Sequence, residues 1–314
     1  MVRRGINPSK RLPSGAKIPE RLTLAVLTHA PFIGGYHAAA LDVVSRTLDS
    51  LRESVRIPYD LLVFDNGSCA EMRDFLLQRQ GRGDIQYLLL SERNLGKCGA
   101  WNVIFAAAPG ELIMYCDQDV HFSSGWLEQS LAILDAFPDA AMISARPMRP
   151  LPELSSATLA WAERTPDVAV EAGTFVRWET EWEMMSGLGL TEAQARLRYG
   201  QSGDVRLTRG GVSALAGASH WQFLTRREFL RTLPPLDGGR PLGGDLQFDR
   251  AVNDAGYLRL MTCEPLVTHI GNTPGPAAPE APRPAPRATR RWIDLPLVKN
   301  GLLWIHDRIF WLYH

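Results

Sequence analysis

The chain has no surplus of charge. Its 314 residues carry 34 Lys+Arg and 34 Asp+Glu. A general polyanion binder is excluded on that count, because nucleic-acid affinity rests on a basic excess. Cysteine is scarce and unpaired in sequence: Cys69, Cys98, Cys116 and Cys263 are scattered with no C-x-x-C spacing. They read as reduced thiols of a cytoplasmic protein, not as a disulfide framework or a zinc site. No run of about 18 apolar residues is present, which excludes a membrane-spanning helix. Residues 1–21 are basic and dotted with proline, but no apolar stretch follows that would make a secretory signal. A flexible basic tail is the expectation there.

From residue 22 short apolar runs recur, each ending in polar residues. They are "LTLAVLTH" (22–29), "DLLVFDNGS" (60–68), "IQYLLLSE" (85–92) and "ELIMYCDQD" (111–119). Runs that are apolar on both faces suit strands buried in a parallel sheet. Between the first two, Leu41, Val44, Leu48 and Leu51 recur at helical spacing. Phe75 and Leu76 play that part in the next segment. Strand and helix alternate over the first 150 residues, which predicts an α/β fold with a mostly parallel sheet sandwiched by helices.

Ligands bind such sheets at the carboxyl ends of the strands. Here those ends carry Thr28, the turn Asp65–Asn66–Gly67–Ser68, Asn94, and the pair Asp117 and Asp119. With 18 aspartates in the chain, about one D-x-D arises by chance, so the pair alone is a weak signal. Its place at a strand end, beside other polar strand ends, gives it weight. Two carboxylates there can hold a hard divalent cation and leave coordination sites for a diphosphate. "NLGKCGAWN" (94–102), with Gly96 in the turn and Asn94 and Asn102 at its ends, can bring backbone N–H groups close to a ligand. His269 ends the run "EPLVTH", where a neutral imidazole could join a metal shell. Asp245 and Asp249 stand one turn apart at the start of a predicted helix, and Asp245 also suits a plain helix N-cap.

Residues 151–212, with Trp161, Trp178 and Trp182, fit an ordinary cover layer or an acceptor-binding wall equally well. Residues 273–291 form a Pro/Ala-rich linker. Residues 292–314 make an aromatic amphipathic stretch with Val298, Leu302, Ile305, Ile309 and Leu312 on one helical face. Docking on its own domain, pairing with a second copy, and peripheral contact with the inner face of a membrane are the readings of that stretch.

Taken in order, these motifs resemble family 2 glycosyltransferases of the GT-A (Rossmann-like) fold over residues 22–272. "LTLAVLTHA" resembles the strand under the nucleotide base, and "LLVFDNGSC" the strand whose aspartate, Asp65, bonds the base. "NLGKCGAWN" is similar to the turn beside the nucleotide. "YCDQDVHF" is similar to the D-x-D segment, with Asp117 facing the ribose and Asp119 the metal. "LAGASHWQFLTRREFL" resembles the segment near the acceptor, "GGDLQFDRAVNDAGY" the catalytic-base helix, and "VTHIG" the closing histidine segment.

The resemblance implies a nucleotide-binding half (22–122) and an acceptor and catalytic half (123–272). It implies an inverting hexosyl- or deoxyhexosyl-transferase that uses Mn²⁺ or Mg²⁺ and a nucleotide-diphosphate sugar, UDP by family frequency, on an acceptor the sequence does not identify. Asp245 falls at the base position and His269 beside the metal. One departure stands out: the family often has an acidic pair before the base helix, and the residue before Asp245 is Gly244. Asp249 is the alternative base. A sugar-phosphate nucleotidyltransferase and a non-catalytic nucleotide-sugar-binding module remain the rival readings.

Overall fold

A computed structural model describes residues 17–201, 203–237 and 244–272. The basic tail before residue 17, the Pro/Ala linker and the amphipathic C-terminal stretch lie outside the described residues. The first half follows the predicted alternation. β1 (Leu22–Thr28), α1 (Ala40–Ser54), β2 (Asp60–Asn66), α2 (Ala70–Gly81), β3 (Tyr87–Ser91), α3 (Gly96–Ala107) and β4 (Leu112–Asp117) come in turn. Both faces of β1 and β2 are buried, which is why those strands read as continuous apolar runs rather than alternating ones. The helical stripe of α1 packs onto the sheet through Val44, Leu48 and Leu51, all buried, with Leu41 half-buried. Each such side chain contributes about 1.5–3 kcal/mol by leaving water.

β3 departs from the expectation of a buried strand. It forms one edge of the sheet, and its residues are half-buried or exposed. Its run of three leucines is covered by helices only in part, so periodicity alone could not tell edge from interior.

The second half continues with β5 (Val120–Phe122), α4 (Trp126–Ala136), β6 (Ala140–Ser144), α5 (Ser156–Glu163), β7 (Val168–Gly173), α6 (Trp178–Gly187), α7 (Glu192–Gln201), β8 (Asp204–Arg209) and β9 (Val212–Ala216). β10 (Gln222–Arg226), α8 (Arg227–Thr232), α9 (Asp245–Asp254), β11 (Leu258–Met261) and β12 (Val267–His269) complete it. Among the described residues, ten strands make one sheet in the order β3-β2-β1-β4-β10-β6-β11-β9-β8-β7. β3, β2, β1 and β4 are parallel neighbours, whereas β10 runs antiparallel to both β4 and β6. The α/β expectation therefore holds, with a parallel first half and a mixed second half. β7, β8 and β9 form an antiparallel meander, so the stretch 151–212 is a strand-and-helix layer extending the sheet.

Two features of this topology decide what meets at the carboxyl edge. The chain leaves β1 toward β2 on one side and later fills β4 on the other, which makes the ends of β1 and β4 a topological switch point. Because β10 is antiparallel, its beginning, not its end, lies at that edge: Gln222 pairs with Cys116, next to Asp117. A separate two-stranded ribbon joins β12 to β5, with His269 opposite Val120. Beneath the edge, Trp101, Phe105, Tyr115, Phe223 and Phe248 form an aromatic cluster with ring centroids 5.1–6.5 Å apart. It ties α3, β4, β10 and α9 into one rigid floor.

Candidate active site

The end of β2 makes a tight polar turn. Asp65 is buried. It accepts hydrogen bonds from the Ser68 amide (3.2 Å) and the Thr28 hydroxyl (3.3 Å), and the Arg73 guanidinium lies 3.6 Å away. Gly67 follows with φ +77°, and a Cβ there would stand 2.7 Å from the backbone of Arg93 and Asn94. Only glycine fits, both for the left-handed backbone and for the close approach of the second loop.

That second loop is organised by two asparagines. Asn94 Oδ1 accepts from the Gly96 amide (2.8 Å) and from Asn66 Nδ2 (3.0 Å), while Asn66 Oδ1 accepts from the Leu95 amide (2.8 Å). His29 completes the knot, with Nδ1 3.0 Å from the Asn66 carbonyl oxygen and Nε2 3.1 Å from Asn94 Nδ2. Thus Thr28 and Asp65 meet, and Asn94 and Gly96 meet, at neighbouring strand ends. Asn102 is used differently. Its side chain both donates to and accepts from the Leu236 backbone (2.8 and 3.0 Å), which pins the segment that leads toward Asp245.

In the D-x-D segment the middle residue turns inward. Gln118 clamps the backbone of His29, accepting from its amide (2.8 Å) and donating to its carbonyl (3.2 Å). Asp117 closes β4 and Asp119 lies in the turn after it; both are partly exposed, 22% and 19%. Asp117 is met by the Lys97 ammonium at 2.7 Å and by the Tyr115 hydroxyl at 2.5 Å. Burial lifts the Tyr115 pKa well above its ordinary value, and the Asp117 charge adds to this, so the phenol stays a donor. Asp119 faces His269, Oδ1 to Nε2 at 3.3 Å, and Trp221 packs edge-on against the same imidazole at 5.5 Å. Burial raises the Asp119 pKa; the His269 charge opposes the shift.

Asp245 opens α9, the helix predicted for it, directly after Gly244. Its Oδ2 lies 3.0 Å from His220 Nε2, and its Oδ1 accepts from the Leu246 amide at 3.1 Å. His220 Nδ1 lies 2.8 Å from Asp249 Oδ2, and Asp249 Oδ1 accepts from Arg259 Nη2 at 2.5 Å. Burial disfavours charge on His220, but the two carboxylates outweigh it and lift its pKa to about 9. Burial likewise pushes Asp245 up, and the His220 hydrogen bond and charge more than reverse that, holding its carboxyl well below the usual range. Lys97 depresses both groups, so the D-x-D carboxylates and Asp245 share one electrostatic site.

Asp249, the alternative base, is 2% exposed and committed to Arg259 and His220. Motif reading passed over His29, Lys97, Tyr115, Gln118, His220 and Arg259. All but Arg259 lie inside the quoted motifs, but strand direction and helix packing, which give them partners, are not written in the local sequence.

Among the described residues, no group of three or more His, Cys, Asp or Glu side chains is placed to hold a metal. Asp119 and His269 nonetheless form a carboxylate–imidazole pair whose donor types suit a divalent ion. Asp117 is already neutralised by Lys97.

Residues 36–166 match the family model described as Glycosyl transferase family 2. The resemblance read from the motifs is borne out over that segment. An uncharacterized glycosyltransferase of Nostoc sp. is 30% identical over 76 residues, which is 24% of this chain and 24% of that protein. Among solved structures, a 1–349 fragment of S. aureus TarS shares 13% identity with a TM-score of 0.43, covering 78% of this chain and 58% of that one. GalNAc-T7, solved with UDP, GalNAc and Mn²⁺, shares 16% identity with a TM-score of 0.47, over 90% of this chain and 47% of that one. The chain thus spans about half the length of these solved chains and a quarter of the curated relative.

Proposed function

We propose that the chain transfers a sugar from a nucleotide-diphosphate donor, UDP being the first choice, to an acceptor nucleophile with inversion at the anomeric carbon. The observation that carries this reading is the meeting, at one sheet edge, of the pair Asp117/Asp119, the His269 imidazole, the Lys97 ammonium and the Asp245 carboxylate. The match of residues 36–166 to the family model supports it.

In this reading the knot of Asn66, Asn94 and His29 shapes the wall for the nucleotide. Thr28, Ser68 and Arg73 hold Asp65, whose side chain is buried, so in this reading it shapes the turn behind the nucleotide wall. Asp117, held by Tyr115 and Lys97, takes the ribose side. Asp119 and His269 would hold Mn²⁺ or Mg²⁺, which when bound supplies positive charge to the leaving diphosphate. Lys97 adds a fixed cation beside the same oxygens. Asp245, about one-third exposed, takes the acceptor proton as the new C–O bond forms on the face opposite the diphosphate.

A mixed sheet with its polar groups on one edge also separates the roles physically. Donor groups come from the parallel half, and the base comes from α9 behind the antiparallel β10. The test is calorimetry of UDP with the full chain in Mn²⁺ and in chelator, followed by release of UDP from a panel of UDP-sugars. Binding that requires the ion, with slow donor hydrolysis, is the expected result. Equal UDP affinity with and without the ion, or no UDP release from any donor in the panel, overturns the reading.

A further inference from the structure

Asp245 and Asp249 stand four residues apart on α9, where like charges face each other and repel. The fold sets one imidazole between them: His220 Nδ1 is 2.8 Å from Asp249 and Nε2 is 3.0 Å from Asp245. Behind it Arg259, 1% exposed, holds Asp249 and is itself tied to the carbonyls of Leu154 (2.7 Å) and Ala218 (2.8 Å). Four ionisable groups therefore run in a line from the interior to the surface, Arg259–Asp249–His220–Asp245. Exposure rises along it from 1% and 2% at the inner pair to 24% and 31% at the outer pair.

We infer that His220 is a positioning residue for the base: braced by Asp249 and Arg259, it grips one oxygen of Asp245 and fixes how that carboxylate meets the acceptor. This rests on the reading of Asp245 as the base. With Nδ1–H donated to Asp249, Nε2 and a carboxylate oxygen at 3.0 Å would repel unless one proton lay between them. That proton makes His220 an imidazolium paired with an ionised Asp245. The other groups facing His220 are Lys97, whose charge opposes its protonation, and the Trp101 ring, centroid to centroid 6.4 Å, both from α3. Asp245 Oδ1 is oriented in turn by the Leu246 amide, so both oxygens are aimed and each keeps a lone pair.

The proton balance is simple. The acceptor hydroxyl loses its proton to Asp245 as its oxygen bonds the sugar, and the electron pair of the broken glycosidic bond leaves with the diphosphate. His220 keeps its proton throughout, and Asp245 returns the extra one to solvent when product departs. An imidazolium neighbour weakens Asp245 as a base, so the benefit of His220 is geometric. A misplacement near 1 Å at a reacting group costs about 100-fold.

The experiment uses the full chain and two readouts. First, the ¹⁵N-detected titration of the His220 ring is followed in the wild type and in Asp245→Asn. A midpoint near 9 that drops in the variant is expected. A midpoint at the ordinary 6.5, unmoved by the variant, overturns the inference whatever the activity does. Second, UDP-sugar hydrolysis is measured against pH for wild type and His220→Gln. The expected variant has kcat lower by about 10–100-fold with donor KM within about twofold, and its rate falls with acid between pH ~6 and ~4, where the wild-type rate stays flat because Asp245 remains ionised. A merely structural role would lower activity without moving that limb, and an unmoved limb overturns the inference. If Asp245→Asn hydrolyses donor at the wild-type rate while the titration behaves as expected, the assignment of the base has failed, and the positioning role falls with it.

Discussion

Arg259 and Asp249 form an ion pair almost wholly removed from water, 1% and 2% exposed, with Nη2 2.5 Å from Oδ1. Two charges at that depth persist because each satisfies the other and because neighbouring carbonyls accept further hydrogen bonds from the guanidinium. Removing one partner strands a buried charge. Arg259→Met is therefore expected to cost about 3–5 kcal/mol, read as a loss of stability in urea unfolding of the full chain. Changing both at once, Arg259→Met with Asp249→Leu, should cost less than the sum of the single changes. Strict additivity would mean the pair does not act as a unit.

The Gly67 turn makes a second, purely conformational prediction. A Cβ at that position meets the Arg93–Asn94 backbone at 2.7 Å while φ sits at +77°. Gly67→Ala should destabilise by more than the ~1 kcal/mol of ordinary left-handed strain. It should also weaken nucleotide binding, because Asn94 must shift with the backbone. Unchanged calorimetric UDP affinity in a folded variant would count against Asn94 lying beside the nucleotide.

Asp119→Ala removes one half of the carboxylate–imidazole pair. UDP binding by that variant should be the same in Mn²⁺ and in chelator, at the level the wild type shows in chelator. Persistent ion dependence in the variant would move the metal elsewhere.

Asp245→Asn preserves shape and removes basicity. UDP release from a turned-over donor should fall by about 10²–10⁴-fold, with UDP affinity near wild type. Asp249→Asn is not a neutral control for that experiment. Its partner Arg259 lies in the interior, so that variant should show its first effect in stability.

Stability should also follow the His220 proton. Its pKa in the folded chain, about 9, lies above the ordinary 6.5, so folding takes up a proton. The resulting stabilisation is fully present below pH 6.5 and is lost as pH rises through 9. The Tm gap between wild type and His220→Gln should therefore be widest near pH 6 and should close above pH ~9. A gap that stays constant across that range would show that the proton is not shared in the folded state.

Local sequence was sufficient wherever a strand and the polar residues at its end are contiguous. The runs ending at Thr28, Asp65 and Asp117 became β1, β2 and β4, because strands buried on both faces are nearly continuous in apolar residues and collect their polar ones at the carboxyl end. The stripe on α1 and the start of α9 at Asp245 were legible for the same reason: 3.6-residue periodicity and first-turn chemistry are local properties. Strand direction and partnership are not local. No pattern in "GASHWQF" says that β10 runs antiparallel to β4 and so delivers His220 and Trp221, in the turn that leads into it, to the carboxyl edge. None in "YLRLM" says that Arg259 will be sealed inside against Asp249. Nor does "NLGKCGAWN" reveal that Lys97 closes on Asp117, since that contact spans two elements brought together by the crossover between β3 and β4. The sequence by itself determined which residues could bear chemistry and where strands surface. The tertiary structure decided which of them touch, because charge pairing depends on distances of a few ångströms that only long-range strand order creates.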